Sequence, residues 1–126
     1  MTIESAIARV NKLRPNSVPE KTKVEWLSQV DGLVHREILL AHELPEEIPE
    51  EFDGYDHNTH PATVLLVPFP YDEIYIHWLN AQIDYAMMEN DKYNNDRMLF
   101  NNAWDTFGDA WRRAHMPVQK TRELRI

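Results

Sequence analysis

The amino-acid sequence predicts a mainly α-helical fold: a small bundle of three to four helices, with a long C-terminal helix or helical hairpin and a short extended segment near 63–69. Three observations carry this. Apolar residues recur at spacings of three and four within 3–13, 20–41 and 71–115. The one short run that is apolar and β-branched, Thr63 to Val67, is followed at once by Pro68 and Pro70, which cannot donate to a sheet ladder. Three glycines in 126 residues leave little flexible linker, and the length suits one domain, placed at 1–117.

In order along the chain, Thr2 can cap a first helix whose apolar face is Ile3, Ala6, Ile7 and Val10, ending near Leu13 before Pro15. In "SVPE", Ser17 reads as the next N-cap, with Pro19 in the first turn and Glu20 completing a capping box. The second helix should present Val24, Leu27, Val30, Val34, Ile38 and Ala41 on one face; Gly32 inside it costs about 1 kcal/mol relative to alanine. Residues 43–63, with three prolines, one glycine and seven carboxylates, read as an acidic loop that Leu44, Ile48, Phe52 and Tyr55 can pin to the surface. Each residue before a proline is held extended, so Val67 to Phe69 should be stiff and straight. Pro70 should open the third helix, with Asp72 and Glu73 at its positive end. That helix shows a stripe of Tyr75, Leu79, Gln82 and Ala86, flanked by Ile74, Trp78 and Ile83. A later stripe is Phe100, Trp104, Phe107 and Trp111. One straight helix from Tyr71 to His115 would be roughly 67 Å long, against a radius of gyration of about 14 Å for a domain of this size. A break near Asn90 to Asn95, in "ENDKYNNDR", is therefore expected. Residues 118–126 read as a loose basic tail.

Charge and composition bound the function. The net charge is −8, and from Glu37 to Asp91 there are thirteen acidic residues and no Lys or Arg. An acidic middle between mildly basic ends argues against a nucleic-acid binder, which needs an electropositive face. The absence of cysteine excludes thiolate ligands and thiol nucleophiles. No secretory signal or membrane span is expected. His57 and His60 lie beside Asp53 and Asp56, and His35 and His42 lie seven apart, but zinc needs three or four ligands at defined spacing. No phosphate loop, nucleophile elbow or calcium loop is present either. The expectation is no catalytic residue, no cofactor and no metal. The expectation is that the aromatics exceed what one small interior needs, so Trp78, Tyr85, Tyr93, Trp104 and Trp111, with Arg112 and Arg113, are the candidates for an oligomer interface.

The ordered set "EWLSQVDGLV" (25–34), "LLVPFPYDEIY" (65–75), "AQIDYA" (81–86) and "KYNNDRMLFNNAWDTFGDAWRRAHMP" (92–117) resembles the small head–tail connector, or head-completion, proteins of tailed phages. The resemblance covers Met1 to Pro117. It implies an all-helical virion subunit without an active site, made in the host cytoplasm. Such a subunit assembles as a homo-oligomeric ring, joins portal to tail, and lets DNA pass without specific binding. A small helical DNA-packaging or regulatory DNA-binding protein is the alternative, and a metal hydrolase using His57 and His60 is a third. On this reading, the basic residues Arg112, Arg113, Lys120, Arg122 and Arg125 meet the 37–91 acids of a neighbour. Trp111→Ala should then weaken assembly, measured by sedimentation, far more than removal of the tail after Pro117, provided the monomer still folds.

Overall fold

The structure, a computed structural model, describes residues 1–42, 44–46 and 48–115; the predicted basic tail lies outside them. The described residues form four α-helices and no strand: α1 (Ile3–Leu13), α2 (Glu20–Leu33), which runs on into a π-helical turn (Val34–Leu39), α3 (Ile74–Ala86) and α4 (Asn90–Ala114). No helix among these residues is long and apolar enough to cross a membrane.

Helix α1 starts as its sequence dictates. The Thr2 hydroxyl accepts from the Ser5 N–H, Ser5 reciprocates to the Thr2 N–H, and Ile3, Ala6, Ile7 and Val10 are buried. The start of α2 differs from expectation. Its N-cap is Pro19, without a side-chain cap, and Ser17 makes no cap bond. Asn16 takes the local role instead, its Oδ1 accepting from the Val18 N–H at 3.0 Å, so the chain turns before the helix begins. The far end of α2 also differs. The Leu40 N–H donates to the His35 carbonyl five residues back, and this wider turn rotates the following residues by one position. Val34 and Ile38 are buried as expected, but Ala41 is exposed and His42 is buried in its place.

The extended segment is real but pairs only locally. Leu65 N–H donates to the Met1 carbonyl, Ile3 N–H donates to that of Thr63, and Thr2 and Val64 form one antiparallel bridge. The corner beyond it is a turn rather than a straight rod: the Tyr71 N–H bonds the Pro68 carbonyl and the Phe69–Pro70 peptide is cis. Helix α3 begins four residues after Pro70. Asp72 and Glu73 precede it and act as ion-pair partners, Glu73 to Arg9 at 2.6 Å and Asp72 to the Met1 amino group at 3.4 Å.

Helix α3 is the centre of the bundle, packing on α1, α2 and α4. It is buried nearly all round, Ile76 and Ala81 joining the expected Ile74, Tyr75, Trp78, Leu79 and Ile83; Ala86, placed in the predicted stripe, is exposed. The hairpin breaks at Met87–Glu89, ahead of the asparagine-rich segment where the break was expected. Met88 adopts φ 58°, the Met88 N–H reaches the Tyr85 carbonyl, and the Glu89 N–H reaches that of Asp84. These are the two bonds of a Schellman ending. "NDKYNNDR" forms the first turns of α4, because the few tenths of a kcal/mol per asparagine are outweighed by packing against α3.

One buried carboxylate ties these pieces together. Asp31, on α2, accepts from the Tyr75 hydroxyl of α3 and the Tyr55 hydroxyl of the acidic loop, both at 2.5 Å, and from the Leu66 N–H at 3.0 Å. The Tyr75 oxygen in turn accepts from the Val67 N–H at 2.7 Å. Burial raises the Asp31 pKa, against the pull of its three donors. Burial first, and the Asp31 charge second, push both tyrosines far above the ordinary phenol range. The loop is pinned where expected, with Leu44, Ile48 and Tyr55 against the core and Phe52 between His35 and Tyr55. At Gly54, φ is 88° and a Cβ would collide with the Ser28 hydroxyl, which holds the Tyr55 N–H.

Two outcomes follow for urea denaturation. Tyr75→Phe should cost about 1–3 kcal/mol, since a buried acceptor and a buried donor both lose a partner, and Tyr55→Phe less, because Tyr55 is only part-buried. Met88→Gly should stabilise the fold by about 1 kcal/mol, relieving a left-handed conformation that costs a residue with a Cβ. Equal losses for both tyrosines, or a destabilised Met88→Gly, would contradict these assignments.

Candidate functional site

The interface candidates separate into two groups. Trp78 and Trp111 are buried. The Trp78 indole N–H donates to the Trp26 carbonyl at 2.8 Å and its ring packs 5.0 Å from Phe100. Trp111 packs 6.0 Å from Phe107 and stacks 3.6 Å from His115. Trp104 is half-buried against Phe100. The two aromatic stripes therefore fit one interior, since they face each other across the α3–α4 hairpin, and surplus aromatic surface no longer argues for Trp78 and Trp111 as interface. Arg112 and Arg113 are exposed on the last turn of α4, Arg112 paired with Asp109 on its own helix.

Tyr85 and Tyr93 remain at the surface. Tyr85 is 70 % exposed and its ring lies 5.6 Å from that of the half-buried Tyr93. Beside them at the hairpin tip stand Met87 and Met88, the latter 85 % exposed. At the other end of α3, the corner exposes Phe69 (85 %) and Val64 (67 %). The thirteen residues of α3, about 20 Å of helix, separate these two apolar patches. Leu13, Leu33, Leu40, Met98 and Leu99 are exposed as well, and exposed apolar residues scattered singly are ordinary.

Behind the tip sits a cluster that the sequence did not reveal. Arg14, just past α1, places Nη1 on Asp84 Oδ1 of α3 and, at 2.6 Å, on Asp96 Oδ2 of α4. Both carboxylates are buried, so two negative charges share one cation. Burial, followed by a hydrogen bond to Asp96, pushes Asp84 up to about 6, against the opposing pull of Arg14. Asp84 Oδ2 and, one turn earlier, Asn80 Oδ1 have no partner among the described residues. Because Asp84 and Asp96 interact through one guanidinium, the titration belongs to the pair. Lys23 is buried too, its Nζ donating to Asn11 Oδ1 at 2.6 Å, and burial pushes its pKa down against the Glu20 charge.

The histidines do not converge. His57 and His60 are exposed on the 56–61 turn, while His35 and His42 are buried and bond the backbone carbonyls of Pro49 and Ile38. Among the described residues no three His, Asp or Glu side chains form a metal-sized group. Comparison with protein-family models, curated proteins and solved structures returned no match.

The Arg14 cluster sets a pH dependence. An unfolded chain holds Asp84 near 3.8 and the folded one near 6, so the folded state binds the extra proton between these values. This contribution is fully present below about pH 3.8 and is lost as pH rises through about 6. Asp84→Asn should remove it, so that the parent gains up to about 3 kcal/mol on the variant between pH 7.5 and pH 4 in denaturant titrations. Parallel pH profiles for the two proteins would contradict the raised Asp84 pKa.

Proposed function

We propose that the chain is a structural subunit of a phage virion, a head–tail connector without catalysis that works as a homo-oligomer between portal and tail. The observation that carries this reading is the pair of exposed apolar patches at opposite ends of α3, the Tyr85–Met88 tip and the Phe69 corner. A patch that meets a different patch on the next copy makes a heterologous contact, and such contacts close into rings when the rotation per copy allows. The rigid corner held through Asp31 and Tyr75 supports this, because a ring needs each subunit to present its two faces at one fixed angle. The exposed Glu46, Glu50, Glu51, Asp53 and Asp56 of the loop add no phosphate contacts, which suits a subunit beside a channel where DNA slides without sticking. Arg112 and Arg113 are candidates to steer the contact, with exposed pairs worth about 0–1 kcal/mol each.

A phage lacking this protein should accumulate DNA-filled heads and free tails; infectious, joined particles would end the assignment. In the purified protein, Tyr85→Ser with Met88→Ser should weaken self-association at least tenfold by sedimentation, since both side chains are largely exposed in the single chain. Strong, salt-sensitive retardation of duplex DNA in a gel would instead favour the DNA-packaging or regulatory alternative.

A further inference from the structure

A groove of about 530 Å³ runs between α1, the first turns of α2 and the 56–61 turn, the size of a small-ligand pocket. Its floor is Ile3, Ile7 and Val24, and its rim carries Glu4, Glu20 and Asp56 against the single Lys21. The three rim carboxylates are exposed and engage no ion pair among the described residues. Asp56 Oδ1 accepts from the Asn58 N–H at 2.8 Å, while Oδ2 stays outside any hydrogen bond among those residues.

Two bonds fix the ends of the groove. The Glu4 N–H donates to the Pro61 carbonyl at 2.9 Å, which seats the 56–61 turn beside the first turn of α1. Lys23 Nζ donates to Asn11 Oδ1 at 2.6 Å, which holds the start of α2 against the last turns of α1. Glu4 and Asp56 therefore stand at one end and Glu20 at the other. Along α1, the rise from Glu4 to Asn11 is about 10 Å. The acids do not converge, since no three His, Asp or Glu side chains among the described residues form a metal-sized group. A compact cation would meet one carboxylate at a time and gain nothing from the floor. A cation whose charges are spaced along an alkyl chain meets all three and lays its methylenes on Ile3, Ile7 and Val24. A basic peptide would instead bring backbone N–H and C=O groups onto an apolar floor that offers them no partners.

The geometry points to this groove as a binding site for a linear aliphatic polyamine, with its ammonium groups at Glu4, Asp56 and Glu20 and its methylenes on the floor. In a triamine with three- and four-carbon spacers, nine zigzag single bonds of about 1.5 Å set the end nitrogens roughly 11 Å apart. That length matches the distance between the two acidic ends, and a four-carbon diamine falls well short of it. The inference is independent of the virion reading.

The test titrates the ¹⁵N-labelled full chain with spermidine at low salt and follows the backbone amide shifts. One equivalent should bind, with shifts concentrated at residues 3–11, 20–24 and 56–61. On the same parent protein, putrescine and Mg²⁺ should each bind at least tenfold more weakly, the first for lack of length and the second for lack of methylenes. Glu4→Gln with Glu20→Gln should weaken spermidine at least tenfold, while Glu50→Gln with Glu51→Gln on the acidic loop should change it less than twofold. Shifts spread over the acidic loop, Mg²⁺ as strong as spermidine, or equal losses in the two variants would mean general attraction to an acidic protein and overturn the inference. No shifts at all would overturn it too, as would tighter binding of acetyl-Lys-Leu-Lys-amide, which would give the groove to a peptide.

Discussion

The Asp31 carboxylate is the constraint on which the other elements depend. It sits in the interior of α2, where a carboxylate is expensive, and its burial is tolerated because three donors from three other places converge on it. Tyr75 brings α3 to α2, Tyr55 brings the acidic loop down, and Leu66 with Val67 brings in the segment before the corner. Hydrogen bonds are directional where apolar contacts are not. This network therefore sets the angle at which the corner meets the bundle, while the surrounding Leu27, Val30, Leu65 and Leu79 supply the bulk of the burial.

The second polar cluster works at the opposite end of α3. Arg14 joins α1 to both arms of the hairpin, and burial of the two carboxylates around one cation raises the Asp84 pKa. The helical hairpin is thus clamped twice, at its root by Asp31 and Tyr75 and near its tip by Arg14. Between the clamps runs the aromatic packing of Trp78, Phe100, Phe107 and Trp111. Beyond the clamps, Tyr85 and Met88 at one end and Phe69 at the other are among the exposed apolar side chains, as are Met98 and Leu99 on the outer side of α4.

The acidic middle of the chain is less uniform in space than in sequence. Asp84 is neutralised inside by Arg14, Glu73 pairs with Arg9 and Glu89 with Lys92. Among the described residues of the middle, what stays exposed and outside any ion pair is the loop with Glu37 and Asp91, to which Glu4 and Glu20 at the rim of the α1–α2 groove add negative surface. A charge count along the chain therefore overstates the field of the middle and misses the groove, to which α1 and α2 contribute acids from the nominally basic end.

The sequence by itself determined the helical class, the capped first helix, the apolar face of α4 and the loop with its pins. Each of these depends on local propensity or on a period of three to four residues, which a linear reading detects. Other features were decided only by tertiary contacts. The helix break moved to Met88 because a Schellman ending needs a left-handed residue, and here a methionine takes that place without the glycine or asparagine that would announce it. The π turn at Val34–Leu39 shifted His42 inward and Ala41 outward, with no mark in the residue pattern. Asp31, Lys23 and Asp84 carry no mark of burial in the sequence, because their partners stand as many as seventy positions away. Burial of a charge is a property of the assembled surroundings, and only the assembled chain could specify it.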